Sequence, residues 1–359
     1  DLLLAGGNDD DSISIDSIDS SFTGEIFVDG DDGDDLLEID HSVSDVVSYN
    51  GGPGNDSLAL QGNPVDSITH TFTNSSDGLV LIADASNTSV FYAGLEPIFD
   101  SIVATDRFFE FGNTADVITL DDEGLLGNGI MRLSSVSSSE TVHFADATGT
   151  VSIDAGGGDD SVTILPIDFL FSAAVEVNGG SGNDTVNAVA ITTAILLNGD
   201  AGNDTITGGS GNDTLSGGDD DDQLQGGGGN DSLEGGSGID TISESGDVNF
   251  VLDSSSLSGV GNDQFTAIEQ ANLTGGDSAN TIDASLFTGS VTVTAGAGND
   301  TVIGSDNDDE LFGDGDNDNL VGGLGNDLVN GGADDDEVFG GEGDDVVLGG
   351  GGNDTLEGE

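Results

Sequence analysis

The 359-residue chain has no cysteine, and against 71 acidic residues it sets only two cations, Arg107 and Arg132. Without cysteine there is no disulfide framework, an absence that is neutral between compartments. A formal charge of −69 makes self-repulsion oppose compaction. The chain is therefore expected to be disordered until counter-ions bind and folded afterwards. So acidic a surface argues against nucleic acid or anionic lipid as a partner, and no run approaches eighteen apolar residues, so no membrane insertion is read. Catalytic signatures are missing too. The three histidines, His41, His70 and His143, lie in unrelated strand-like contexts, with no His-Glu-x-x-His or Gly-x-Ser-x-Gly pattern. No lysine follows the glycine runs, which excludes phosphate loops. Carboxylate pairs of the glycosidase type are not excluded by residue type, but two arginines cannot build a basic groove for an acidic polysaccharide. The chain is read as not an enzyme.

What the chain has is glycine, 60 of them, arranged with aspartate in a nine-residue unit, Gly-Gly-x-Gly-x-Asp-x-apolar-x. Clean copies are Gly179–Asn187, Gly208–Ser216, Gly226–Glu234 and Gly322–Asn330, and tandem blocks run over 199–243 and 295–357. Glycines let the backbone turn sharply through positive φ, and the Asp offers a carboxylate beside exposed carbonyls. The strand that follows is too short to stand alone. Alternation turns one apolar residue per copy inward, so stacked copies line Ile206, Leu215, Leu224, Leu233 and Ile242 into one narrow core.

These strings resemble the repeats-in-toxin (RTX) nonapeptide, strongly over 179–243 and 275–357 and weakly elsewhere. The resemblance implies a β-roll in which two copies make one coil, so residues eighteen apart become vertical neighbours. Asp204 then lies over Asp222, Asp213 over Asp231 and Asp222 over Asp240; Asp300, Asp318, Asp336 and Asp354 form one further row, and Asp309, Asp327 and Asp345 another. At a strand spacing of about 4.8 Å, two carboxylates repel by roughly 3 kcal/mol at an effective dielectric near 20. A cation between them is required. Hard oxygen donors with no Cys or His in either block suit calcium. The expected ligands are these residues together with Asp35, Asp56, Asp160 and Asp184 from single copies, completed, as the resemblance implies, by carbonyls of the glycine turn. Asp220, Asp334 and Asn307 in place of the fourth glycine, and Asn280 in place of the Asp, predict weaker or missing ions.

Outside the blocks the beat lengthens. Asp11, Asp35 and Asp56, then Asp160, Asp184 and Asp204, fall 20 to 24 residues apart; Asp116 follows Asp56 by 60, and Asn280 follows Asp240 by 40. Both larger gaps read as multiples of a twenty-residue coil. Eleven of the sixteen Phe precede residue 172, as a wider coil would accommodate. The expected fold is all-β, a parallel β-helix or β-roll solenoid. Wide coils occupy 1–59, 159–198 and 244–294, and narrow rolls 199–243 and 295–359. Residues 60–158 form an irregular β region, for which a continuous β-helix is favoured over a separate β-sandwich.

Both ends fall inside repeats, which is read as a window from a longer repetitive protein. In the second block Ile303, Val321 and Phe339 form an apolar stripe for self-association, or else tuck into the core; the solenoid ends offer a second contact. The expectation is an extracellular, calcium-dependent rod segment of a bacterial surface, matrix, fibre-forming or adhesin protein. The rival is the calcium-folded secretion module of an RTX toxin, protease or lipase whose catalytic domain lies outside the chain. Millimolar extracellular calcium suits such weak, many-site binding.

Overall fold

The computed structural model describes residues 2–17, 22, 24–40, 46–73, 77–83, 88–93, 95–122, 128–136, 141–167 and 171–358; His41 lies outside them. Every regular element among these is a β-strand, and the chain divides into two compact units, Asp1–Ile191 and Thr192–Glu359.

In the second unit each nonapeptide yields one short strand, and strands eighteen residues apart pair in parallel. Leu215 stacks on Leu233, Ile206 on Leu224 and Leu224 on Ile242. In the later block Val302, Leu320 and Val338 form one column, with Leu311 on Val329 opposite. All five of these later residues are 0% exposed, each worth roughly 2 kcal/mol of burial. Between the blocks the step widens, to 29 for Ile242 on Ala271 and 32 for Leu233 on Phe265, then to twenty for Ala271 on Val291 and Ile282 on Val302. The predicted stripe exists as a register: Ile303 stacks on Val321 and Val321 on Phe339. All three are half-buried.

The first unit follows the same logic with wider coils. Ile13 pairs with Leu37 and Val162 with Val186, steps of 24, and Ile26 with Val47, a step of 21. Its core holds a charged cluster as well. Asp100, Arg107 and His70 are buried. Arg107 Nη1 donates to Asp100 Oδ2 at 2.5 Å, and His70 Nε2 lies 3.3 Å from the same oxygen. Phe109 stacks on His70 at 5.2 Å, and the guanidinium sits 5.1 Å from the Phe144 ring centre. One of the chain's two cations is thus spent inside the first unit. The other, Arg132, pairs with Asp121.

Among the described residues the parallel stacking is interrupted three times by the same device, a three-stranded antiparallel meander entered from its far side. Val46–Asn50 pairs in parallel with Thr88–Ala93, which runs antiparallel to Asp77–Ala83, itself antiparallel to Val65–Phe72; only the last pairs in parallel with Ala104–Glu110. Thr141–Ala145, Ile130–Ser135 and Val117–Asp121 repeat the arrangement between Leu95–Asp100 and Ser161–Ile164. In the second unit Asn262–Thr266, Ser256–Ser258 and Phe250–Asp253 do so between Ser232–Ser237 and Thr281–Leu286.

The meanders overturn two readings of spacing. The 60 residues from Asp56 to Asp116 are not three coils of twenty, because Val117–Asp121 is parted from Leu95–Asp100 by two meander strands. Nor are the 40 from Asp240 to Asn280 two such coils. Asp240 precedes Thr241–Ser245, which stacks on Gln270–Thr274, whereas Asn280 precedes Thr281–Leu286 in the opposite sheet.

Candidate functional site: the stacked aspartate turns

Why the turn demands glycine is visible position by position. At the second and fourth positions φ is positive, for example 126° at Gly218 and 131° at Gly229, in the tandem copies other than those opening at Gly208 and Gly304. Where the fourth glycine is replaced, Asp220, Asp316 and Asp334 still take φ of 75°, 70° and 73°, a region aspartate tolerates better than most residues. The first position has a different reason. A Cβ on Gly226 would lie 2.5 Å from Oδ2 of Asp231, and one on Gly208 would lie 2.5 Å from the carbonyl oxygen of Gly226. Glycine there leaves room for a carboxylate oxygen and a carbonyl oxygen to converge.

Each pair expected at eighteen residues is joined by one hydrogen bond, from the backbone N–H of the earlier Asp to Oδ1 of the later. The distances are 2.8 Å for Asp204 to Asp222, 2.8 Å for Asp213 to Asp231 and 2.9 Å for Asp222 to Asp240. In the second block Asp300 bonds Asp318 at 2.8 Å, Asp309 bonds Asp327 at 2.9 Å, Asp318 bonds Asp336 at 2.9 Å, Asp327 bonds Asp345 at 3.0 Å and Asp336 bonds Asp354 at 3.2 Å. The wide coils continue the pattern through Asp11 to Asp35 to Asp56, and Asp116 to Asp160 to Asp184.

The second oxygen is the informative one. Oδ2 of Asp35, Asp56, Asp160, Asp222, Asp231, Asp240, Asp300, Asp318, Asp327, Asp336 and Asp345 is buried and accepts no hydrogen bond. Burial and the neighbouring carboxylates push Asp318 and Asp160 up to about 7, and Asp222 and Asp327 up to about 6. Carboxylates so placed call for a cation. The second unit contains neither Lys nor Arg, so no side chain supplies one. Aligned carboxylate and carbonyl oxygens are the donor set of a hard divalent ion. Among the described residues no three acidic or histidine side chains close into a ready chelate; an ion here draws on carboxylates together with backbone carbonyls.

Two expected ligands differ from the rest. Asp213 receives N–H groups from Ile195 on Oδ1 and Gly209 on Oδ2. Asp309 receives Val291 N–H on Oδ1, with Ser305 N–H on Oδ2. Both act as caps at the start of a row. Asn280 likewise turns its Oδ1 to the N–H of Gly276 at 2.9 Å.

Sequence reasoning missed three acidic residues here. Asp263 accepts from Asp231 N–H and Glu269 from Asp240 N–H, each continuing a row; Glu244 accepts from Gly227 N–H. The string Gly259-Val260-Gly261-Asn262-Asp263 carried the signal for the first, hidden by its 32-residue offset from Asp231. A second ladder also went unread. The residue before the Asp accepts from its counterpart one coil later, as Asn317 does from Asp335 and Asp335 from Asn353. It runs opposite to the aspartate ladder.

Residues 176–188, 196–224, 208–242, 292–320 and 321–356 match the family model described as RTX calcium-binding nonapeptide repeat (4 copies). No curated protein matches the chain.

Proposed function

Because the chain carries RTX calcium-binding nonapeptide repeats, we propose that it is a calcium-folded structural segment of an extracellular bacterial surface, matrix, fibre-forming or adhesin protein, without catalytic activity of its own. The observation that carries this reading is the row of buried, unpartnered Oδ2 atoms in a unit without lysine or arginine. Calcium bound along the rows neutralises the stacked carboxylates and ties each coil to the next, so folding and ion binding are one event. Outside the cell calcium is abundant enough to fill weak sites, which fits the secreted proteins in which RTX repeats occur. Both described histidines take part in packing, which supports the non-catalytic reading. His70 is buried against Phe109, and His143 stacks on Phe99 at 5.1 Å.

The half-buried column of Ile303, Val321 and Phe339 is the surface we assign to self-association. Calcium uptake by calorimetry with light scattering on the same sample tests both parts of the proposal. Many-site uptake with rising scattering supports an assembling structural segment. Uptake with scattering unchanged favours the folded secretion module, and no uptake rejects the calcium reading.

A further inference from the structure

The first block ends at Ser243, and Glu244 stands where the next copy would place its first glycine. The turn that stacks on 226–231 is instead 259–263, brought back by the meander. Asn262 N–H donates to Gly229 O at 3.2 Å, Gln264 N–H to Asp231 O at 2.9 Å, and Gly229 bridges Gly261. Glu244 is directed inward, in register with the buried Leu273. Its carboxylate reaches the same turn, with Oε1 accepting from Gly227 N–H at 2.9 Å. Oδ2 of Asp231 lies over the adjacent Gly226 and has no hydrogen-bond partner, while Oδ1 of Asp263 accepts from Asp231 N–H at 2.9 Å.

Three carboxylates therefore surround one pair of stacked turns. Asp231, Glu244 and Asp263 are 3%, 3% and 1% exposed. The other rungs described take their side-chain oxygens from the turns, mostly aspartates, with Glu269 below Asp240 and Asn280 above Asp300; this one adds an acid from the interior face of a strand. Burial, then the charges of Asp263 and Asp231, push Glu244 up to about 7, and burial with Asp231 pushes Asp263 up to about 6. Hydrogen bonds from backbone N–H groups satisfy part of this charge and leave Asp231 Oδ2 bare.

We propose that Asp231, Glu244 and Asp263 hold one divalent cation, calcium by its oxygen donors, in a three-carboxylate site unlike the nonapeptide sites. The carboxyls stand around the turn and are not closed on a point; the ion draws Glu244 from Gly227 N–H and supplies the closure. Added ligand charge tightens a calcium site, so this site fills first and fixes the junction where the block gives way to the meander. The proposal rests on the calcium reading above.

The test is calcium calorimetry on the whole chain, comparing wild type with Glu244→Gln, Glu244→Gly and Asp345→Asn. Wild type is expected to show one site on the order of tenfold tighter than the bulk. Both Glu244 variants are expected to lose that site and keep the weak class, whereas Asp345→Asn keeps the tight site and loses part of the weak class. Circular dichroism at saturating calcium checks that each variant folds; should the Glu244 variants fail to fold, Asp263→Asn must show the same selective loss. Superimposable isotherms for wild type and the Glu244 variants overturn the proposal and leave the general reading intact. No uptake by wild type overturns both.

Discussion

The backbone N–H of Asp309 donates to Oδ1 of Asp327 across 2.9 Å, one coil away, while Oδ2 of the same Asp327 is buried without a partner. One oxygen serves the polypeptide and the other is left for an ion. Replacing Asp327 with Asn keeps an acceptor for the N–H and removes the charge. Calcium affinity is expected to fall on the order of tenfold in the second block, with little loss of fold at saturating calcium. Asp213→Asn is expected to behave conversely, because both of its oxygens already take backbone N–H groups. It should cost about 1–3 kcal/mol of stability through a broken cap and little calcium affinity. Calorimetry and calcium-saturated denaturant melts separate the two.

Acid should substitute in part for calcium. Asp160 and Asp318 are raised to about 7, and Asp222 and Asp327 to about 6, from an ordinary 3.8. A carboxyl with a raised folded-state pKa holds its proton more tightly folded than unfolded. The stabilisation from protonation is therefore complete below about 3.8 and is lost as pH rises through 6 to 7. In chelator, β-structure followed by circular dichroism should increase from pH 8 to pH 4. Apparent calcium affinity should fall over the same range, because protons and calcium compete.

The glycines predict a sharp contrast. At Gly341 φ is 113° and a Cβ would strike the carbonyl of Gly323, whereas at Gly351 nothing lies within 4 Å. Gly341→Ala should cost roughly 1–3 kcal/mol, and Gly351→Ala within about 0.5 kcal/mol, read from melts in saturating calcium.

Stability of the first unit should depend on Arg107 whether or not calcium is present. Removing the guanidinium strands the buried Asp100 carboxylate, a loss of about 3–5 kcal/mol. Hydrogen exchange on the whole chain should show Arg107→Ala accelerating amides of Ala104–Glu110 and its neighbours while protection in 295–357 is unchanged.

The nonapeptide blocks were legible because each copy states its own turn, ligand and core residue. Leu215 on Leu233 and Asp318 beside Asp336 follow from counting by eighteen. The meanders were not legible. Strings such as Leu79-Val80-Leu81-Ile82 alternate like any strand, and local pattern does not say whether a strand runs parallel or antiparallel to its neighbour. Counting by twenty therefore failed wherever a meander intervened, at Asp116 and at Asn280. Asp263 was lost for the same reason, since its rung partner Asp231 lies 32 residues back. Nor could alternation reveal the Asp100–Arg107–His70 cluster, whose members meet through packing of separate strands.

Far-UV circular dichroism of the whole chain during calcium titration from excess chelator tests the central claim most directly. The account predicts a large gain of β-signal as calcium approaches the millimolar range, centred on the second unit when followed by hydrogen exchange. A second unit already folded and fully protected in chelator at pH 8 would contradict it, since its stacked carboxylates would then be stable without an ion.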